Sequence, residues 1–239
     1  KEMLPHEETI ENTDTLPPEL AASLRKRSME LGLHACNLPE KVGGGGLDAV
    51  SVMLIEKELG RTSLALAECA HRPLNILAAC ENEQVTQFLE PTLRGEKRDC
   101  IAMTEPGAGS DLRGMKCKAV RDGGCWIING EKHFISQAFV SDFCVLFAAT
   151  GEEKTNKGIK KLISAFLVDF SDPGVEVAPG YKNVSHRGYT NNILRFENAR
   201  IPEWRIMGSE GDGFRLVNQW LGPTRLTVAA TSVARAERA

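Results

Sequence analysis

The sequence predicts an α+β fold: an all-helical amino-terminal domain over residues 1–98, a middle antiparallel β-barrel-like domain over 99–212, and the first helix of a carboxy-terminal helical bundle over 213–239. Three observations predict it. Apolar residues recur at helical spacing before Asp99. From there the pattern shortens to Val, Ile, Phe and Cys runs broken by turn dipeptides. Helical spacing returns beyond Gly213.

In chain order, residues 19–31, 48–60 and 63–80 are expected helices, with Pro17, Pro18 and Asp48 as start signals. Residues 83–93 form a further helical segment, interrupted by Pro91 and closed by Gly95. Ile127-Ile128-Asn129-Gly130-Glu131-Lys132 predicts a hairpin, because Asn-Gly tolerates the positive φ angles of a type I′ turn, and Asp122-Gly123 predicts a second. Strands are expected at 143–149, 162–170, 175–178 and 192–197. The lysine-rich stretch GEEKTNKGIKK, residues 151–161, reads as a solvated loop between two of them. Residues 226–239 run helically to Ala239 with no Gly, Asn or Pro stop, so a further helical domain is expected to follow.

Composition narrows the function. The 29 Lys and Arg against 32 Asp and Glu give a net charge of −3, with no basic stripe to hold nucleic acid or an anionic membrane surface. The apolar runs at 143–149 and 165–168 fall far short of the ~20 residues of a membrane-spanning helix, so no membrane insertion is expected. The acidic start KEMLPHEETIENTD lacks the basic and apolar regions of a signal peptide. The seven cysteines include no CxxC pair and lie at no ligand spacing from the five histidines. That predicts free thiols in a reducing compartment and no metal site.

Several patterns carry no chemistry. Gly43 to Gly46 is followed by Leu47-Asp48-Ala49, where a P-loop needs Lys and Ser or Thr. Gly208-Ser209-Glu210-Gly211-Asp212-Gly213 does not follow a buried parallel strand as a dinucleotide fingerprint does. No GxSxG elbow is present, Glu56 and Glu58 point apart on a helix, and Glu152 and Glu153 fall in the lysine-rich stretch. AMTEPGAGSD, Ala102 to Asp111, is different. It joins a strand end to a loop whose glycines let the backbone approach a flat or phosphorylated ligand.

Ile101 to Asp111, IAMTEPGAGSD, resembles the first signature of the acyl-CoA dehydrogenase family. INGEKHFIS, Ile128 to Ser136, is similar to that family's I-N-G-x-K-x-W-I-T/S segment. ISAFLVD, LRFENARIP, MGSEGDGF and LPEKVGGGGLD resemble further family landmarks, in the family's order. The resemblance implies FAD as cofactor, held by Ile101, Ala102, Met103, Thr104 and Ser110 and by Phe134, Ile135 and Ser136. In it, Met103 and Thr104 contact the flavin through backbone groups and a hydroxyl, Ser136 hydrogen-bonds near flavin N5, and Phe134 stands where the family usually has tryptophan. It also implies acyl-CoA contacts at Ser110, Ser164 and Arg225, with Gly222 where the family often has aspartate.

The implied reaction is α,β-desaturation of an acyl-CoA thioester in fatty acid metabolism, a carboxylate removing the α-proton while the β-hydrogen leaves as hydride to flavin N5. The resemblance places that base carboxy-terminal to Ala239, and Thr224 occupies the position of the glutamate that serves in one branch, so no catalytic residue is expected in this segment. Glu105 and Asp111 read as loop-fixing groups. The implied partners are an acyl-CoA, an electron-transfer flavoprotein as acceptor, and further copies of the chain in a homotetramer built as a dimer of dimers. The implied location is cytoplasmic in a bacterium, and the mitochondrial matrix or peroxisome in a eukaryote. Two alternatives share the scaffold: an acyl-CoA oxidase or nitroalkane-oxidase-like flavoenzyme, and a non-catalytic flavin-containing binding or assembly protein.

Overall fold

The structure, a computed structural model, describes residues 2–156 and 158–239. In chain order its elements are α1 (Glu7–Thr13), α2 (Pro18–Glu30), α3 (Ala49–Leu59), α4 (Leu64–Ala67), α5 (Glu90–Leu93), β1 (Asp99–Ala102), β2 (Lys118–Asp122), β3 (Cys125–Ser136), β4 (Phe143–Thr155), β5 (Gly158–Asp169), β6 (Val175–Tyr181), β7 (Asn191–Pro202), β8 (Ile206–Met207) and α6 (Gly213–Arg238). Contacts divide the chain into two compact units. One holds residues up to Ala78 with Lys182–Tyr189 and Gln219–Ala239; the other holds Ala79–Tyr181 and Thr190–Asn218.

In the helical unit, α2 starts at Pro18, where a missing N–H costs nothing. At the start of α3 the Asp48 carboxylate accepts the Val50 and Ser51 amides at 2.8 and 3.0 Å. The core gathers Ile10, Ala21, Leu24, Ala65, Leu66 and Cys69. The helix expected over 63–80 is instead α4 followed by a 3-10 turn at Asn75–Ala79. α4 closes at Glu68, whose N–H bonds back to Leu64 and Leu66, and Pro73, with no N–H to donate, lies in the irregular stretch before the 3-10 turn.

The second unit is built on a curled, eight-stranded half-barrel in the order β6-β7-β3-β2-β4-β5-β8, with β1 beside β4. Its pairings are antiparallel except β1 with β4 and the single bridge of β2 with β4 at Lys118 and Ala149. Residues 143–149 of β4 and 163–168 of β5 are buried at every position, which is why these strands read as unbroken apolar runs. Phe88 meets Phe143 edge-on, with centroids 4.9 Å apart. Among the described residues, no helix is long and apolar enough to cross a membrane, and no cluster of His, Cys, Asp and Glu has a metal-holding arrangement.

Two local expectations are overturned. Asn129-Gly130 turns no hairpin: β3 runs straight through it, with a register shift against β7 between Ile128 and Gly130. The expected loop over 151–161 is not a loop among its described residues either, Lys157 lying outside them. β4 and β5 continue as a paired ribbon, Glu152 opposite Lys161 and Glu153 opposite Lys160, both sides of which are wet. The hairpin expected at Asp122-Gly123 does form, joining β2 to β3 through Gly123 and Gly124, both at positive φ.

Candidate functional site

The TEPGAGSD loop leaves β1 and folds back at once, Glu105 and Ala108 exchanging backbone hydrogen bonds of 3.0 and 3.1 Å. Its anchor is a buried ion pair. Lys132 of β3, fully enclosed, donates to the Glu105 carboxylate at 2.8 Å and to the Met103 carbonyl at 3.0 Å. The same carboxylate accepts the Lys116 amide at 2.6 Å and the Cys117 amide at 3.0 Å. Burial pushes the Glu105 carboxyl upward, but Lys132 and the two amides outweigh it and hold the group below its ordinary range. Glu105 is therefore the ionised centre of a clamp, the loop-fixing role read from the sequence.

The strand beside the loop is shaped by a bulge. Between the pairs Lys132–Leu194 and Ile135–Asn192, β3 passes two residues against one of β7. Phe134 sits in that bulge at φ 56°, a left-handed conformation that non-glycine residues rarely adopt. The residue is 56% exposed, and its ring stacks on Tyr181 at 4.5 Å between centroids. The preceding amide, His133 N–H, donates to the Thr104 carbonyl at 2.8 Å. Lys132 and His133 thus tie strand to loop, and Phe134 follows directly.

The residues expected at the cofactor divide by what they face. Ala102 and Ile135 are buried in the sheet and Ile101 is half-buried. The Met103 and Thr104 carbonyls are taken by Lys132 and His133. Among the described residues, the Thr104 and Ser110 hydroxyls have no protein partner. The Ser136 hydroxyl has only a long 3.5 Å bond to Asn191 Oδ1. A Cβ built on Gly107 or Gly109 would meet nothing within 4 Å, so the loop presents open backbone.

The two other expected substrate residues lie elsewhere. Ser164 on β5 is completely buried, 2.9 Å from Thr150 Oγ1 and accepting the Gly211 amide at 2.9 Å. It pins the 208–213 loop to the sheet. Arg225 is exposed on α6, in the part of that helix assigned to the helical unit.

Sequence reasoning missed Lys132, His133 and Tyr181. Lys132 had a signal: it continues the inward, even-numbered series Trp126 and Ile128 on β3, where a lysine needs a buried carboxylate. His133 Nδ1 lies 2.7 Å from the Tyr181 hydroxyl, and its Nε2 lies 2.7 Å from Glu131 Oε1. The Tyr181 bond spans 48 positions of sequence, and no local pattern announces it.

Comparison with known proteins identifies the family and the fold. The sequence profile of the acyl-CoA dehydrogenase amino-terminal domain matches residues 1–96, and that of the middle domain matches residues 100–199. An acyl-CoA dehydrogenase of Bacillus subtilis is 32% identical over 244 residues, covering 100% of this chain and 62% of that protein. Butyryl-CoA dehydrogenase from Megasphaera elsdenii aligns with a TM-score of 0.85 at 27% identity, covering 100% of this chain and 62% of that one. An acyl-CoA dehydrogenase from Bacillus anthracis complexed with FAD aligns with a TM-score of 0.83 at 29% identity, covering 98% of this chain and 40% of that one. In each case the chain spans less than two thirds of its relative's length.

Proposed function

Because this chain belongs to the acyl-CoA dehydrogenase family, we propose that it serves an FAD-dependent α,β-desaturation of an acyl-CoA thioester. The observation that carries the reading is the Lys132–Glu105 clamp, which locks together the two segments bearing the family's motifs, 101–111 and 128–136. What these segments present outward fits the cofactor. Free hydroxyls at Thr104 and Ser110, open backbone at Gly107 and Gly109, a weakly engaged hydroxyl at Ser136 and an exposed ring at Phe134 suit a flat, acceptor-rich ring with a phosphate tail.

When bound, FAD supplies the hydride acceptor. The chain's own part is to bind and orient. Thr104 and Ser110 would hold the cofactor through their hydroxyls, Phe134 would cover part of its ring and exclude water, and Ser136 would donate a hydrogen bond to the ring, which would supply the hydride acceptor. Glu105 is not the base, since both its oxygens are already engaged. The α-proton goes to another carboxylate. Ser164 serves the acyl-CoA through the 208–213 loop that it anchors, and Arg225 offers its guanidinium to a CoA phosphate.

The family supports an electron-transfer flavoprotein as acceptor and a homotetramer as assembly. Seven cysteines, none in a disulfide, support a reducing compartment, the bacterial cytoplasm or the mitochondrial matrix or peroxisome. The test is direct: the full-length protein should purify yellow, and anaerobic mixing with butyryl-CoA should bleach the flavin and yield the enoyl-CoA. A colourless protein that ignores added FAD, or a yellow one that no acyl-CoA bleaches, sinks the proposal. Rapid reoxidation by oxygen after bleaching would assign it to the oxidase branch instead.

A further inference from the structure

We propose that His133 and Tyr181 are positioning residues that hold Phe134 in its left-handed bulge, with one ring face stacked on Tyr181 and the other presented to the flavin. The inference rests on the reading of this site as a flavin site. Phe134 adopts φ 56°, yet the residue is 56% exposed, so burial gives the fold little return for the strain. An unfavourable backbone conformation with an exposed aromatic ring has to be held by its neighbours, and the neighbours are identifiable.

The Tyr181 ring lies at 26° to Phe134 with centroids 4.5 Å apart, and its hydroxyl is fixed by His133 Nδ1 at 2.7 Å. His133 is fixed in turn by Glu131, at 2.7 Å from Nε2. Arg195 Nε donates to the other Glu131 oxygen at 2.9 Å, and Arg195 Nη1 reaches Glu176 at 3.3 Å. The hydrogen bonds from His133 and Arg195 hold the Glu131 carboxyl below its ordinary range, so Glu131 accepts only. His133 thus bridges the Glu131 carboxylate through Nε2 and the Tyr181 hydroxyl through Nδ1. This chain of contacts, Tyr181 to His133 to Glu131, sets the tyrosine ring at a defined angle. A ring stacked on one side and open on the other is half of an aromatic sandwich, and a flat heteroaromatic ligand completes it.

The experiment uses the full-length protein, comparing Tyr181→Phe and His133→Gln in the native background and in Phe134→Gly, where glycine removes both the strain and the ring. The readouts are the visible circular dichroism of bound flavin, the FAD dissociation constant and the melting temperature. In the native background each substitution should alter the flavin dichroism and raise the FAD dissociation constant about fivefold or more, with an unchanged melting temperature. In Phe134→Gly neither should add anything. Unchanged dichroism and affinity in the native background, or the same effect persisting in Phe134→Gly, overturns the inference while leaving a yellow wild type and the flavin site intact. A colourless wild type that ignores FAD removes the flavin reading and this inference with it.

Discussion

The Lys132 ammonium is fully buried against Glu105, and neither charge has another counter-ion within the clamp. Removing one partner leaves the other charged and enclosed, so Lys132→Met should destabilise the protein by about 3–5 kcal/mol in urea unfolding, whereas Lys132→Met with Glu105→Leu should recover most of that loss. The pH dependence follows from the lowered Glu105 value. A carboxylate with a depressed folded pKa contributes stability that is present above its unfolded pKa and lost as pH falls through the folded one. The native protein should thus lose stability in acid with a share that Glu105→Gln abolishes, and parallel acid titrations of the two would disprove the clamp's charge. At Ser136 the hydroxyl is almost unclaimed by protein, so Ser136→Ala should leave stability near native and slow flavin reduction about tenfold to a hundredfold, ~1.4–2.7 kcal/mol. Ser141 is a contrasting case, because its hydroxyl donates to the Gln137 carbonyl at 3.0 Å. Ser141→Ala should cost about 1 kcal/mol of stability with the reduction rate unmoved.

At the scale of elements, the misread segments share a cause. Asn129-Gly130 tolerates a tight turn but does not demand one, and the pairing of β3 with β7 on both sides of it carries the strand onward. Gly130 instead serves close approach. It sits at φ 148°, and a Cβ there would stand 2.7 Å from Cys117 Cα, so Gly130→Ala should destabilise by about 2 kcal/mol or more in thermal unfolding. The described residues of 151–161 were illegible for another reason: a ribbon wet on both faces has the composition of a solvated loop. Pro223, inside α6, cannot donate to the Gln219 carbonyl, and the Asn75 side-chain amide donates to it at 3.1 Å instead. Asn75→Ala should then cost roughly 1 kcal/mol, and less in a Pro223→Ala background where the helix regains its own bond. Equal costs in both backgrounds would show that the amide is not replacing the missing donor.

For the whole molecule, the helical and β regions were legible because periodicity reports which face is buried, and the loop and strand of the candidate site because their motifs are contiguous. What escaped was long-range: the partner of Lys132 is 27 positions away and that of His133 is 48. The cysteines show the same divide, since an odd count without CxxC spacing predicted free thiols but not which of them the fold encloses. Cys36, Cys69, Cys100, Cys117 and Cys144 are buried, while Cys80 and Cys125 are partly exposed. Burial, helped by Asp99, pushes the Cys80 thiol up to about 12, and burial pushes Cys117 up to about 11 and raises Cys100 and Cys144 as well. The thiolate is the reacting form, so an accessible but unionised Cys80 should react slowly and the buried thiols more slowly still. A disulfide reagent should therefore modify a single thiol promptly in the native protein, Cys125, and all seven after denaturation. Cys125→Ser should abolish the prompt phase, and a native protein that releases three or more equivalents at once would mean that at least one enclosed thiol is open to solvent.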